Sequence, residues 1–392
     1  MTRKKILFTA NKMNIGGIEK SLLSLLNVLD PEKYDIHLAL MQPGGGFFDR
    51  IPSYVTVSFI PSLERLTQFI GAKVRYTLRN IAAGNISHAL TTLSRYTVCK
   101  LSGSLNPLIS SFIESEPGLE ILNTEYDLAI AYPGPSEFLD CLLAFHIKAR
   151  KKAMWIHFDI DRVYHNRKSA LQTNGCYDKV FCVSEDARRI YCKHYPPFTE
   201  RADIFYNIVD SNEILRSADE PSSFRPARHP AINIVSVGRL HPQKGFDIAL
   251  DAAAILRSKD IRFMWHIVGG GDMADELRAR CGELHLDDYV KFYGATTNPY
   301  PFMKGADIYV QPSRYEGFCI TLAEAKTFGM PIVATDFVGA LEQLSLSPNA
   351  VICKPEAKSI ALAIENAGTM PTIPADTFTS SDDLAKLDAL LK

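Results

Sequence analysis

The chain has 392 residues, more than one ordinary hydrophobic core holds, so we expect two domains. Hydrophobic residues make up 46% and charged residues 22%, as in ordinary soluble globular proteins, and the formal net charge of −1 argues against a nucleic-acid partner. No apolar run approaches the roughly 18 residues of a membrane-spanning helix, so we expect a cytoplasmic protein.

The chain begins with a predicted strand, a glycine-containing turn and a predicted helix. Lys5–Ala10 is a short apolar run typical of a buried strand, and Ile18–Leu29 has leucines at helical spacing. Gly16 and Gly17 lie between them. Because glycine lets a backbone approach a ligand closely and a helix N-terminus attracts anions, we expect this turn to contact a phosphate.

A basic stretch occupies residues 61–110, after the strand-like runs Tyr34–Leu40 and Val55–Ile60. Six lysines and arginines, interleaved with apolar residues, stand there against the single acid Glu64. Such a stretch can lie on an anionic membrane surface. The alternative is an ordinary helix pair with a solvated basic face.

His157 directly follows the predicted strand Lys152–Ile156. Ligands of parallel sheets bind at the carboxyl ends of the strands, and a neutral imidazole there can donate to a sugar hydroxyl or a phosphate oxygen. Its alternative role is capping or packing. Arg162 and His165, in the loop that follows, are candidate acceptor contacts.

Residues 213–230 contain several prolines and serines and are predicted to form an interdomain linker. We therefore predict an N-terminal domain over residues 1–212 and a C-terminal domain over residues 231–392. The last helix can pack back on the first domain.

Three predicted strands of the second domain each end at a candidate ligand contact. Ile232–Val237 precedes Arg239 and Lys244, whose charges suit a diphosphate. Phe263–Val268 leads to a flexible turn that contains Gly270, and the strand-like run Tyr289–Tyr293 precedes Ala295.

A further strand, Asp307–Gln311, is followed by a turn with Gly317 and by a helix, predicted over Ile320–Phe328, that carries Glu324. Glu316 lies on the turn. A carboxylate accepts two hydrogen bonds and suits the vicinal hydroxyls of a ribose or hexose. The alternative is that both are solvated glutamates at a helix end.

The turn amides near Phe318 and Cys319 favour a nearby anion, so one patch can hold sugar hydroxyls and phosphate together. The eight cysteines of the chain lack the paired spacing of a zinc site. We expect reduced thiols and no metal.

Glu316-Gly317-Phe318, with seven residues between Glu316 and Glu324, resembles the signature of the family 4 glycosyltransferases. These are retaining, nucleotide-sugar-dependent enzymes with the GT-B fold. The segment Val237–Gly245 is similar to the family's diphosphate-binding turn, and Trp155–Asp159 resembles the segment with its active-site histidine. Many members have glycine or proline where this chain has Cys319.

The resemblance implies an α/β protein of two doubly wound Rossmann-like domains that face a central cleft. In it, residues 1–212 form the acceptor-binding domain and residues 231–392 the nucleotide-sugar-binding domain. The implied reaction moves a sugar from a nucleoside diphosphate sugar, such as a UDP-sugar, to a hydroxyl acceptor, with retention and without a metal or other cofactor. A glycan or lipid-linked glycan in cell-surface polysaccharide synthesis is the expected acceptor, at the inner face of the cell membrane. Alternatives are a nucleotide-sugar epimerase of the same fold and a catalytically silent sugar-binding protein.

The same resemblance assigns roles to single residues. Its implied catalytic residues are His157, Glu316, Arg239 and Lys244. Its implied donor-binding residues are Gly16, Gly17, Arg239, Lys244, Gly270, Ala295, Glu316, Gly317, Phe318, Cys319 and Glu324.

Overall fold

A computed structural model describes residues 3–61, 64–66, 86–116, 118–157, 160–161, 166–226, 231–373 and 381–392. Internal contacts divide the chain into two units. The first unit comprises Met1–Asn14, Leu25–Tyr206 and Ser381–Lys392, and the second comprises Ile15–Ser24 and Asn207–Ser380.

The first unit contains a seven-stranded sheet in which every pairing is parallel. The strand order is β3-β2-β1-β4-β5-β6-β7, so the order reverses between β1 and β4. The strands are β1 (Lys4–Ala10), β2 (Tyr34–Leu40), β3 (Thr56–Phe59), β4 (Glu125–Gly134), β5 (Lys148–Ile156), β6 (Lys179–Cys182) and β7 (Ala202–Ile204).

Helices connect these strands, as a parallel sheet requires. A buried apolar cluster lies between the sheet and several of them and includes Phe112, Leu139 and Tyr191. The helices described for the chain up to residue 206 are α1 (Gly17–Val28), α2 (Ile86–Ser102), α3 (Asn106–Ser115), α4 (Glu120–Asn123), α5 (Glu137–Phe145), α6 (Arg167–Asn174) and α7 (Glu185–His194).

The second unit contains a six-stranded parallel sheet with the order β10-β9-β8-β11-β12-β13. Its order reverses between β8 and β11. The strands are β8 (Ile232–Val237), β9 (Phe263–Val268), β10 (Val290–Phe292), β11 (Ile308–Gln311), β12 (Ile332–Thr335) and β13 (Ala350–Cys353).

Successive residues of these strands point to opposite faces of the sheet, as the period of a strand requires. Ile234 belongs to one buried cluster and its neighbour Val235 to the other. The other α-helices among the described residues are α8 (Ser211–Ser217), α9 (Phe246–Ser258), α10 (Ala274–Glu283), α11 (Tyr300–Lys304), α12 (Ile320–Lys326), α13 (Val338–Leu344), α14 (Ala357–Ala367) and α15 (Ser381–Leu390).

Helix α8 lies across the start of the predicted linker, residues 213–230. The Asp210 side chain accepts a hydrogen bond from the Glu213 backbone N–H at 3.0 Å and caps this helix. The first residues of the predicted linker therefore belong to helix α8, and the residues after Ser217 connect it to the next element.

Candidate active site

Arg239, Lys244 and Glu316 lie in two loops at the point where the strand order of the second sheet reverses. The first loop follows β8 and the second follows β11, and these strands pair directly, with Tyr309 opposite Val235. In doubly wound sheets this point opens a crevice outside the carboxyl ends of the strands, where ligands bind. The fold therefore places these three predicted residues at a ligand-binding edge.

The two loops are tied together by several contacts. The Arg314 backbone N–H donates to the Gln243 carbonyl at 2.8 Å, and the Arg314 guanidinium contacts both oxygens of Asp247 at 2.8 and 2.6 Å. Gly245 has a φ of +67°, and a Cβ there would overlap the Pro312 carbonyl. Glycine is therefore required at this close approach.

Glu316 is held by three side chains. Lys244 forms an ion pair with its Oε1, Ser313 Oγ donates to the same oxygen at 2.8 Å, and Gln243 Nε2 lies 3.5 Å from Oε2. The Lys244 and Glu316 side chains are only 15% and 9% exposed. Burial opposes the charge of Lys244, yet the adjacent Glu316 raises the pKa of Lys244, so its ammonium group stays charged.

A chain of buried hydrogen bonds supports Glu316 from inside the sheet. Tyr309 Oη donates to Gln311 Oε1 at 2.6 Å, Gln311 Nε2 donates to Ser313 Oγ at 2.8 Å, and Ser313 reaches Glu316. Sequence analysis did not assign these three supporting residues. The available signal was a glutamine at the end of an otherwise apolar strand and a serine two residues later, because buried polar groups need partners.

The Arg239 side chain is exposed and makes no hydrogen bond or ion pair with any described residue, while its backbone carbonyl accepts a hydrogen bond from the His241 N–H at 2.9 Å. Next to it, the Leu240 backbone N–H donates to the Gly270 carbonyl at 2.9 Å, so the turns after β8 and β9 meet. A Cβ on Gly270 would lie 3.3 Å from the Ala295 Cβ. Arg239, Gly270 and Ala295 therefore follow the neighbouring strands β8, β9 and β10 and lie at the same edge of the sheet.

The turn before α12 is tightly packed. Phe318 and Cys319 are each 6% exposed, and the Gln343 amide donates to the Phe318 carbonyl. Cys319 adopts a left-handed backbone with a φ of +67°, which is uncommon for a residue other than glycine. Burial raises the pKa of its thiol to about 12, so the sulfur stays protonated. Gly317, one residue before Phe318, is partly exposed.

Gly16 and Gly17 open helix α1 within the second unit. A Cβ on Gly17 would lie 3.7 Å from the Ile320 Cδ1, so this turn approaches the start of α12. The Glu19 carboxylate folds back over Gly16, close to where a phosphate was expected. Burial raises the pKa of Glu19, while its own backbone N–H and Arg239 lower it.

Glu324 lies in a different environment from Glu316. Glu324 is 4% exposed, and its Oε1 accepts a hydrogen bond from Tyr300 Oη at 2.7 Å. The Lys20 ammonium lies 5.5 Å from the centre of the Tyr300 ring and 3.4 Å from Glu213. Sequence analysis missed Lys20, Glu213 and Tyr300, because they are distant from Glu324 along the chain.

His157 belongs to the first unit. Its backbone N–H donates to the Gly134 carbonyl at 3.2 Å, and its ring centre lies 4.7 Å from that of Tyr132. Its Nε2 is buried and has no partner among the described residues. Burial lowers the pKa of His157 to about 3, so the imidazole is neutral. Phe158, Asp159, Arg162 and His165 lie outside the described residues.

Residues 62–63 and 67–85 of the basic stretch 61–110 also lie outside the described residues. Arg95, which is described, forms two hydrogen bonds with the Glu114 carboxylate at 2.6 and 2.9 Å. Within the described part of the chain, no helix is long and apolar enough to span a bilayer. The same residues include no group of three or more His, Cys, Asp or Glu side chains that could hold a metal ion.

Residues 221–376 match the family model of the group 1 glycosyl transferases. The predicted resemblance to glycosyltransferases is confirmed over this part of the chain. The amylovoran biosynthesis glycosyltransferase AmsK of Erwinia amylovora is 30% identical over 162 residues, which are 38% of this chain and 40% of AmsK. The chain spans about half or less of the length of the curated relatives it matches.

A second relative, from Campylobacter jejuni, is named N-acetylgalactosamine-N,N'-diacetylbacillosaminyl-diphospho-undecaprenol 4-alpha-N-acetylgalactosaminyltransferase. It is 30% identical over 145 residues, which are 37% of this chain and 38% of the relative.

Solved structures extend the likeness to both units. Anabaena HepE in complex with UDP and glucose has a TM-score of 0.68 at 18% identity, and each chain is covered to 99%. The lipopolysaccharide outer core galactosyltransferase WaaB has a TM-score of 0.64 at 16% identity, also with 99% of each chain covered. The fold is that of the GT-B glycosyltransferases, as predicted.

Proposed function

We propose that the protein is a retaining glycosyltransferase that moves a sugar from a nucleoside diphosphate sugar to a hydroxyl acceptor. The observation that carries the proposal is the edge where β8 and β11 end. There an exposed Arg239 without a described partner lies in the turn that leads to the buried Lys244–Glu316 ion pair. The matched family region includes all three residues.

The donor's diphosphate is the group that needs the cations. As the bond between the sugar C1 and the phosphate oxygen breaks, its electron pair moves to that oxygen, and negative charge grows on the leaving group. Arg239 and Lys244 are placed to stabilise this charge, with Arg239 donating from a planar fork and Lys244 acting as a point charge. In this proposal no metal is required.

The acceptor hydroxyl attacks C1 from the face that the phosphate leaves, and its proton passes to the departing phosphate oxygen. Attack on that face retains the anomeric configuration, so the paired carboxylates of a glycosidase are not needed. Glu316 binds a hydroxyl of the transferred sugar, and Glu324 binds the ribose. The neutral imidazole of His157 donates to the sugar or phosphate.

A UDP-sugar is the proposed donor, and a glycan or lipid-linked glycan the proposed acceptor. Support comes from HepE, solved with UDP and with UDP-glucose, and from the Campylobacter relative, whose name specifies a diphospho-undecaprenol substrate. An enzyme with such an acceptor would work at the inner face of the cell membrane, in cell-envelope polysaccharide synthesis.

Calorimetry and turnover with a panel of UDP-sugars test this proposal. We expect Arg239→Ala to weaken UDP-sugar binding by about tenfold or more, because a charge-assisted contact to phosphate is lost. Its thermal unfolding should match the wild type, since Arg239 is exposed and has no described partner. Lys244→Ala should also weaken binding, but it leaves the buried Glu316 unpaired and should lower stability as well.

Arg262→Ala is the matched control, because Arg262 is exposed and directly precedes β9, at the opposite edge of the same sheet. Its affinity for the UDP-sugar should equal that of the wild type. Binding without donor hydrolysis or transfer would favour a silent sugar-binding protein, and release of an epimerised sugar would favour an epimerase. Activity that disappears in chelator and returns with a divalent ion would contradict the metal-independent account.

A further inference from the structure

We propose that Lys20, Tyr300 and Glu213 position Glu324 for the nucleotide and keep its carboxylate ready to accept hydrogen bonds from the ribose. This inference rests on the proposed function, in which Glu324 binds the donor ribose. It adds three positioning residues that come from helices α1, α8 and α11.

The four side chains form one buried polar cluster in the second unit. Lys20 is 7% exposed and Glu324 is 4% exposed. The Lys20 ammonium lies 3.4 Å from Glu213 Oε2 and above the Tyr300 ring, and the Tyr300 hydroxyl donates to Glu324 Oε1 at 2.7 Å. Lys20 near the start of α1 is therefore connected through Tyr300 to the Glu324 carboxylate of α12.

This arrangement leaves acceptor capacity on Glu324. An ionised carboxylate has about four lone-pair positions, and Tyr300 uses one of them on Oε1. Oε2 makes no hydrogen bond to a described residue. Tyr300 thus fixes the rotation of the carboxylate and leaves Oε2, with the rest of Oε1, for a vicinal diol.

Four titratable groups face Glu324: Lys20, Tyr300, Glu213 and the buried Tyr309. Burial is the largest influence and raises the pKa of Glu324, whereas Lys20 and Tyr300 lower it and Glu213 raises it. A protonated Glu324 would lose acceptor sites that the ribose hydroxyls need. Because Glu213 also pairs with Lys20, its negative charge opposes the effect of the Lys20 charge on the pKa of Glu324.

The experiment measures UDP affinity by calorimetry from pH 5 to pH 8, as the ratio of each variant to the wild type, so that titration of the UDP phosphate cancels. We expect Lys20→Met to move the acid-side loss of affinity upward by about one pH unit. Lys20→Arg should restore the wild-type profile. Adding Glu213→Gln to Lys20→Met should move the loss back toward the wild-type pH.

Tyr300→Phe tests the cluster without removing a charge. We expect UDP affinity to fall by about three- to tenfold, because one hydrogen bond to the carboxylate is lost. Turnover at saturating donor should stay within about twofold of the wild type, since the ribose is remote from the bond that breaks. Lys304→Met is the matched control. Lys304 is the last residue of α11, and its ammonium group pairs with the exposed Asp219.

Wild-type affinity and an unshifted pH profile in a folded Lys20→Met variant would overturn the proposal. So would an equal shift in Lys304→Met. If Lys20→Met does not fold, unchanged UDP affinity in Tyr300→Phe would overturn it. If the wild type binds UDP and all variants bind it equally well, only the positioning role is refuted. If the wild type binds no UDP, the proposed donor is refuted as well.

Discussion

Glu316 and Glu324 belong to one short motif, yet their carboxylates have different partners. Glu316 is paired with Lys244 and supported by Ser313, so its charge is balanced within the loops after β8 and β11. Glu324 receives a hydrogen bond from a neutral phenol, and burial raises its pKa. Two carboxylates in such different settings are suited to different parts of one donor.

We therefore predict that the two glutamates separate in role. Glu324→Gln should weaken binding of free UDP, because each hydrogen bond from a hydroxyl to a carboxylate contributes about 1.5–3 kcal/mol. Glu316→Gln should leave UDP affinity nearly intact and lower turnover, because its proposed partner is the transferred sugar. Calorimetry with UDP, paired with turnover of the intact donor, measures both. Equal losses of UDP affinity would contradict the assignment.

Cys319 gives a second prediction at this scale. Its left-handed backbone should make Cys319→Gly more stable than Cys319→Ala by about 1 kcal/mol, which reverses the usual preference for alanine next to a helix. Denaturant unfolding of the two variants measures the difference. The comparison cancels the loss of the buried thiol, which both share. An alanine variant as stable as the glycine variant would show that this backbone conformation is not strained.

Sequence reasoning located the motif residues but not their supports. Glu316, Lys244 and Arg239 were predicted because family resemblance gives short, ordered signatures. The partners Tyr300 and Lys20 could not be predicted, because neither lies within a helical turn of Glu324 and only the fold brings them to it. Cys319 was noted as a departure from the family, but its positive φ could be read only from the structure.

At the scale of elements, strands were easier to predict than helix ends. Strands of a parallel sheet are buried on both faces and read as short apolar runs, and the predicted Ile232–Val237 and Phe263–Val268 agree with β8 and β9. The helix predicted over Ile320–Phe328 ends at Lys326. Helix α8 was assigned to the linker because its capping residues are the polar types that also occur in loops.

Helix α5 contains a buried acid that makes stability depend on pH. Asp140 reaches back to the Ser136 backbone N–H at 3.0 Å, and its Oδ1 is buried with no partner among the described residues. Burial raises the pKa of Asp140 to about 7, the Ser136 N–H lowers it and Glu137 raises it. The folded state therefore holds a proton that the unfolded state releases near its ordinary pKa of about 3.9.

We predict that the contribution of Asp140 to stability falls as pH rises from about 4 to about 7, since at this site the unfolded chain binds fewer protons than the folded chain over that range. Asp140→Asn cannot ionise and should be more stable than the wild type at pH 8 by about 1–3 kcal/mol. Urea unfolding at several pH values measures this. Asp219→Asn is the control, because that side chain is 71% exposed. A pH dependence that persists unchanged in Asp140→Asn would refute the assignment.

At the scale of the whole molecule, membrane association through residues 61–110 stays a prediction. Arg75→Glu with Arg79→Glu should weaken binding to anionic vesicles by about fivefold or more per residue, because each arginine near such a surface contributes about 1 kcal/mol. Salt should weaken wild-type binding. Arg95 is left unchanged, because it already pairs with Glu114. Vesicle sedimentation measures this, and a wild type that ignores anionic vesicles at low salt would end the hypothesis.

Residues 15–24 belong to the second unit, although more than 180 residues of chain separate them from its main part. Lys20 meets Glu213 there, and Ser21 meets Asn207 at 2.6 Å. A chimera that exchanges residues 207–380 for the matching part of a relative, and keeps residues 15–24, would leave Lys20 and Ser21 facing foreign side chains. Grafting a new donor preference onto this chain therefore calls for two inserts, a ten-residue piece of the first helix together with the large C-terminal segment.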